Sequence, residues 1–304
     1  MKGLMQDWPL LVHTFIDHAS LHHGDREIVT RKVEGDIHRT NYSEIHSRAR
    51  KFSKSLIKLG VKKSDVIGTL AWNTHRHLET WYGITGVGAI YHTLNPRLFL
   101  EQLEYIINHA DNKYIIADIT FVKILEGIEA KLPNVKGFIF LTDSANMPET
   151  NLKNIFCYED MLKAEDNDYE WLKVEETDAC GLCYTSGTTG NPKGVLYSHK
   201  SNVLHTLVAN NADAMGIKST DSVMPVVPMF HANAWGIPYS AMLLGIDLVF
   251  PGPKMADGET LVDLINSEGV TYSAGVPTVW LALYQYLERS EVKVPSLRQL
   301  LVGG

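Results

Sequence analysis

The sequence predicts an α/β fold of parallel-rich sheets flanked by helices, and three observations predict it. Helix-period and strand-like segments alternate along most of the 304 residues. The strand-like segments are short, near-continuous apolar runs, the pattern of strands buried on both faces. Strand–helix–strand alternation in turn implies right-handed crossovers and parallel pairing.

The elements follow in order. After Asn41, apolar residues recur at Ile45, Ala49, Phe52, Leu56 and Leu59, and Gly60 closes the run, so this is an amphipathic helix with its stop signal. Asp65–Ala71 reads as a buried strand, followed by a helix through Leu78, Tyr82 and Val87. Leu100–His109 is a helix, Tyr114–Ala117 a strand, Phe121–Leu132 a helix and Phe138–Leu141 a strand. The polar stretch Thr142–Thr177 reads as surface connection with short elements. Ala179–Tyr184 and Val195–Tyr197 are strands, and Ser198 caps a helix from Lys200 to about Ala214. Strands at Ser222–Val227, Asp247–Phe250, Tyr272–Ala274 and Leu300–Val302 alternate with helices at Ala234–Leu244, Leu261–Glu268 and Pro277–Leu287. Parallel sheets bind ligands beyond the carboxyl ends of their strands, which directs attention to the loops after Tyr184, Val227 and Ala274.

Composition excludes some classes. A net charge of −7 argues against a general nucleic-acid or anionic-membrane binder. Cys157, Cys180 and Cys183 make no disulfide framework, and the single CxxC lies in the apolar run ACGLCYT, so it reads as core. A zinc site would need a second ligand pair. The N-terminal segment carries Asp7 and Asp17 and has no signal-peptide pattern, and no window approaches a membrane span. A cytoplasmic protein without integral membrane association is expected. His75 and His77 read as surface residues.

The segment Tyr184–Gly194, YTSGTTGNPKG, is unusual for a turn. Gly187, Gly190 and Gly194 permit positive φ and close approach of backbone amides to oxygens. Thr185, Ser186, Thr188 and Thr189 supply hydroxyl donors, Lys193 a full positive charge, and Pro192 stiffness. A hairpin turn alone has no use for that set, whereas a polyphosphate does. The spacing is not that of a Walker A loop, since Lys193 follows Gly190 by three and precedes Gly194.

These residues resemble the signature loop of the adenylate-forming superfamily, which includes acyl-CoA synthetases, luciferases and peptide-synthetase adenylation domains. The resemblance implies that Thr185, Ser186, Gly187, Thr188, Thr189, Gly190 and Lys193 hold the β- and γ-phosphates of ATP, with Thr185 on the Mg²⁺ side. It implies ATP, Mg²⁺ and coenzyme A as cofactor and co-substrates.

A second segment, PMFHANAWG at Pro228–Gly236, follows a predicted strand. A lone histidine is ordinarily core or surface, but this one comes second in line behind the phosphate loop. The segment resembles the superfamily's second motif, which implies that Phe230 and His231 lie beside the acid carboxylate and the α-phosphate, with His231 and Lys193 catalytic. The wording MFHANAW together with AGVPTVWLAL resembles the fatty-acyl-CoA synthetase branch. That branch implies Trp235 as gate of an acyl tunnel, and Gly275, Val276, Pro277 and Thr278 as the acid-binding wall, with bare Gly275 admitting a ligand. Asn95-Pro96-Arg97 resembles a family loop and reads as structural.

The resemblance covers essentially all of residues 1–304 and implies an incomplete N-terminal AMP-binding domain, truncated at the opening of the adenine loop, with no C-terminal domain. Expected function is ATP-dependent activation of a medium- or long-chain fatty acid to acyl-AMP and then acyl-CoA as part of a complete ligase. The chain alone is expected to be inactive, with an exposed sheet edge at its last strand. Two alternatives stay open: an adenylating enzyme with a non-CoA acceptor, and a non-catalytic fragment. A homodimer is compatible with the resemblance.

Overall fold

Caps and apolar spacing set the first elements. The computed structural model describes residues 1, 3–185 and 191–304. It begins with α1 (His13–His22), β1 (Glu27–Arg31) and β2 (Ile37–Asn41). Asn41 then caps α2 (Tyr42–Lys58), its side chain accepting the Glu44 amide at 2.9 Å. Ile45, Ala49, Phe52 and Leu56 are buried along one face of α2, and Gly60 turns the chain at φ +80°.

The remaining elements run β3 (Val66–Leu70), α3 (His75–Gly86), β4 (Ile90–Thr93), α4 (Leu100–His109), β5 (Asn112–Ala117), α5 (Val122–Ile128) and β6 (Phe138–Phe140). Then come β7 (Ile155–Cys157), α6 (Tyr158–Lys163), β8 (Ala179–Thr185), β9 (Lys193–Ser198) and α7 (His199–Ala209). The last are β10 (Ser222–Pro225), α8 (Ile237–Leu244), β11 (Asp247–Phe250), α9 (Gly258–Ser267), β12 (Tyr272–Gly275), α10 (Pro277–Ser290) and β13 (Gln299–Val302). Ser198 caps α7 as its sequence predicts, accepting the Ser201 amide at 3.1 Å. The helix stops at Ala209 instead of Ala214, because the side-chain amides of Asn210 and Asn211 fold back onto the carbonyls of Thr206, Leu207 and Val208.

Two sheets form, one ordered β13-β12-β10-β11-β1-β2 and the other β7-β6-β5-β3-β4-β8-β9. Among the described residues every strand pairing is parallel except the edge pairs β1–β2 and β8–β9. This is the parallel-rich α/β architecture the alternation predicts. Among the described residues strand β13 pairs with β12 alone, and Leu300 and Val302 are exposed.

One large core joins the sheets, with Phe15, Phe52, Trp81, Tyr91 and Tyr239 in a single buried cluster. Trp81 stacks on Tyr91 at 4.5 Å and 3°, and the Tyr239 hydroxyl donates to that of Tyr91 at 2.9 Å. Helix α3 runs through this core with every residue buried, which overturns the surface placement of His75 and His77. His77 Nδ1 lies 3.0 Å from the Trp72 carbonyl, and Nε2 accepts from Trp81 Nε1 at 3.2 Å. Burial pushes His77 down to about 4, so it is neutral near pH 7. His75 stacks on His38 at 4.2 Å and is likewise pushed down by burial. The His77 ring is tolerated inside the core because both its nitrogens find partners there, Nδ1 at the Trp72 carbonyl and Nε2 at Thr69 and Trp81.

Candidate active site

The phosphate-loop segment is carried by an antiparallel hairpin. Strands β8 and β9 pair so that Tyr184 faces Gly194 and Thr185 faces Lys193. The Thr185 hydroxyl donates to the Lys193 carbonyl at 3.4 Å, and the Lys193 side chain is exposed. Ser186, Gly187, Thr188, Thr189 and Gly190 lie outside the described residues. The stem is braced from below: the Tyr184 hydroxyl meets His109 Nδ1 at 2.6 Å, and its ring lies 5.1 Å from that of His92. Gly181 is bare because a Cβ there would come within 2.6 Å of the Tyr91 ring. Cys180 is fully buried, and burial pushes its thiol up to about 12, partly offset by the Asn202 amide. That is an inert core thiol. Among the described residues, no group of three or more His, Cys, Asp or Glu side chains is arranged to hold a metal ion.

The second segment begins where β10 ends. The amides of Val226 and Val227 both donate to the Ala274 carbonyl, at 2.9 and 2.8 Å, so β12 anchors the entry to the turn. Asn73, after β3, grips the same place with its fully buried side chain. It donates to the carbonyls of Pro225 and Val227 at 2.9 and 3.0 Å and accepts from the Met229 amide at 2.7 Å. Phe230 is buried, edge-on to Trp72 at 5.8 Å, with the Arg97 guanidinium 5.7 Å from its ring centre. His231 follows, exposed.

A helix was expected from Ala234. Instead Ala232, Asn233, Ala234 and Trp235 are all left-handed, with φ of +46°, +49°, +49° and +54°, and the helix starts only at Ile237 after Gly236 at φ +78°. Left-handed backbone costs roughly 1–2 kcal/mol per non-glycine residue, so tertiary contacts must hold the turn. One is the Thr93 hydroxyl, which donates to Asn233 Oδ1 at 3.1 Å and lies 3.5 Å from the Leu182 carbonyl of β8.

The turn separates two cavities. One of about 190 Å³ is lined by Asn95, Arg97, Phe230, His231, Val276 and Val279. The other, about 510 Å³, is lined by Tyr197, Asn202, His205, Trp235, Gly236 and Tyr239. The residues expected to bind the acid are therefore divided: Phe230, His231 and Val276 line the first, and Trp235 the second. The indole of Trp235 reaches Gly303, where a Cβ would stand 3.1 Å from its Cη2. Gly275 is bare for a different reason from ligand approach. Its carbonyl accepts from Trp280 Nε1 at 3.1 Å, and a Cβ would sit 2.9 Å from that indole. Pro277 and Thr278 are exposed at the start of α10 and line neither cavity, whereas Val279 does.

Sequence reasoning missed Asn73, Thr93 and the site-facing role of Arg97. Asn73 and Thr93 had no local signal, each being one ordinary polar residue just past an apolar strand core. Arg97, read as part of a structural loop, was distinguishable only as a cation at a strand's carboxyl end.

Fold and site together define an α/β protein that gathers a glycine- and hydroxyl-rich hairpin and an aromatic–His turn at the carboxyl ends of parallel strands. The chain belongs to the AMP-binding enzyme family, which matches residues 16–304. It is 45% identical over 304 residues to the 3-methylmercaptopropionyl-CoA ligase of Ruegeria lacuscaerulensis. It is 44% identical over 304 residues to the medium-chain-fatty-acid–CoA ligase of Ectopseudomonas oleovorans. Each comparison takes in 100% of this chain and 56% of the relative, so the chain spans about half the length of the curated relatives it matches. The solved anthranilate CoA ligase AuaEII, in complex with anthranoyl-AMP, is similar in fold, with a TM-score of 0.86 at 19% identity over 99% of this chain and 56% of that one. No helix among the described residues is long and apolar enough to cross a membrane.

Proposed function

We propose that this chain is the N-terminal AMP-binding portion of an ATP-dependent ligase that activates a medium- or long-chain fatty acid. The acid's carboxylate attacks the α-phosphate of ATP, pyrophosphate leaves, and a mixed anhydride with AMP remains. The thiolate of coenzyme A then displaces AMP to give the thioester. Lys193, with the hydroxyls and amides of Thr185–Gly190, holds the β- and γ-phosphates, and Mg²⁺ enters with ATP on the Thr185 side. His231 offsets charge where the carboxylate meets the α-phosphate. Phe230 and Val276 border the acid head, and Trp235 gates the larger cavity for its tail. A cytoplasmic homodimer is the proposed setting.

The observation that carries this reading is the link Asn233–Thr93–Leu182. It ties the aromatic–His turn to β8, the strand that leads directly into the Thr185–Lys193 hairpin. A group held by the hairpin and a group held by the turn would thus be neighbours, as in-line attack requires.

Calorimetric titration of the 304-residue chain with Mg-ATP and with AMP tests the phosphate role. ATP should bind about tenfold or more tightly than AMP, and Lys193→Ala should remove most of that preference. Equal binding of the two nucleotides by the wild-type chain would sink the reading.

A further inference from the structure

We infer that Arg97 binds the carboxylate of the acid substrate, at the polar mouth of the 190 Å³ cavity. The inference rests on the acid-activating reading above and adds to it the residue that recognises the acid's charge. Its ground is the placement of one side chain. Arg97 follows β4, and its backbone amide donates to Asn95 Oδ1 at 3.0 Å, which fixes the loop. Its guanidinium lies 5.7 Å from the centre of the Phe230 ring, within range of a cation–π contact.

That ring is a firm support. Phe230 is buried, and Trp72 braces it edge-on while donating from its indole to the Thr120 hydroxyl at 2.9 Å. A guanidinium so supported keeps its planar fork of donors available for another partner. Among the described residues it has no acidic partner, although the chain forms ion pairs at many of its other arginines.

The cavity beside it supplies the rest of the recognition. Val226, Met255, Val276 and Val279 form apolar wall, while Asn95, Arg97 and His231 give polar groups. Apolar wall next to a forked cation suits an anion on an aliphatic chain. A carboxylate matches the fork with two parallel hydrogen bonds. His231 opens on the same cavity, so a carboxylate held by Arg97 would be presented at the residue proposed to face the α-phosphate.

Calorimetric titration of the 304-residue chain with octanoate, octanol and inorganic pyrophosphate tests the inference. Wild type should prefer octanoate over octanol by about tenfold, a preference that weakens as salt is raised. Arg97→Met keeps an aliphatic stem over Phe230 but loses the charge, so the preference should fall to about one while octanol binding stays unchanged. Arg97→Lys should restore part of it. If Arg97→Met keeps the octanoate preference, or loses only pyrophosphate affinity, Arg97 is not the carboxylate's partner and the acid site stands without it. If the wild-type chain binds neither octanoate nor octanol, the acid-binding reading falls, and this inference with it.

Discussion

Asn73 accepts a 2.7 Å hydrogen bond from the backbone amide of Met229, across the junction between the two sheets. The same side chain donates to the carbonyls on either side of the turn's entry, at Pro225 and Val227. A single fully buried amide therefore fixes the segment that leads to Phe230 and His231. It belongs to the loop after β3, in the sheet that carries the β8–β9 hairpin, so it also sets one sheet's strand ends against the other's.

Replacing Asn73 with Ala should destabilise the chain by about 3 kcal/mol, because it leaves buried backbone groups without partners at a cost of about 1–3 kcal/mol each. Urea denaturation measures this. A loss below about 1 kcal/mol would mean that water or neighbouring groups replace the lost bonds.

Gly245 ends α8 in the left-handed region at φ +61°, and a Cβ there would stand 2.2 Å from His23 Cγ. Gly245→Ala should cost about 2 kcal/mol, of which roughly 1 is backbone and the rest the collision with the imidazole. In a His23→Ala background the cost should fall to the backbone part. A double-mutant cycle reads the difference.

Asp118 is fully buried and accepts from the Trp72 amide at 2.7 Å. Burial pushes its carboxyl up to about 7, with the Trp72 amide and the Arg76 charge opposing. The folded-state value lies above the unfolded one, so the group's contribution is fully present at low pH and is lost as pH rises through about 7. Between roughly pH 4 and 7 it should lower stability by up to about 1.4 kcal/mol per pH unit. Asp118→Asn should flatten that slope, measured as denaturation midpoints at pH 5 and pH 7. An unchanged slope would assign the dependence to other groups.

Ala232 is exposed and left-handed at φ +46°, at the start of the strained turn. Ala232→Gly should raise stability by about 0.5–1 kcal/mol, since glycine enters this region without strain. Ala232→Val should lower it by at least as much. Thermal unfolding checks both. The glycine variant also asks whether rigidity of the turn serves the site, through its effect on ATP and octanoate binding.

Much of the frame was legible from residue order. The spacing of Ile45, Ala49, Phe52 and Leu56, with Asn41 before and Gly60 after, carries its own caps and period, and the helix forms there. Helices α1 and α6 and strands β1, β2, β4 and β7 were not read. Strand β4 is four residues and β7 three, too short to display a period, and β4 pairs with β8, a strand far along the chain. His77 misled for a related reason. Its polarity suggests solvent, while its partners Thr69, Trp72 and Trp81 lie close by in the chain and satisfy the ring inside the core.

What the sequence by itself determined is the class of architecture, the caps, and the residue types of the hairpin and the aromatic–His turn, because these depend on periodicity and local backbone chemistry. Tertiary structure alone decided which of those residues share a cavity. It divided Trp235 from Phe230 and His231 across a left-handed turn, filled the space beside Gly275 with Trp280, and brought Asn73, Thr93 and Arg97 to that turn from the carboxyl ends of β3 and β4 and the loops after them, over a hundred residues earlier in the chain. The reason is physical. Local rules act over a few residues, whereas a cavity's lining is set by how two sheets and the helices between them exclude water together.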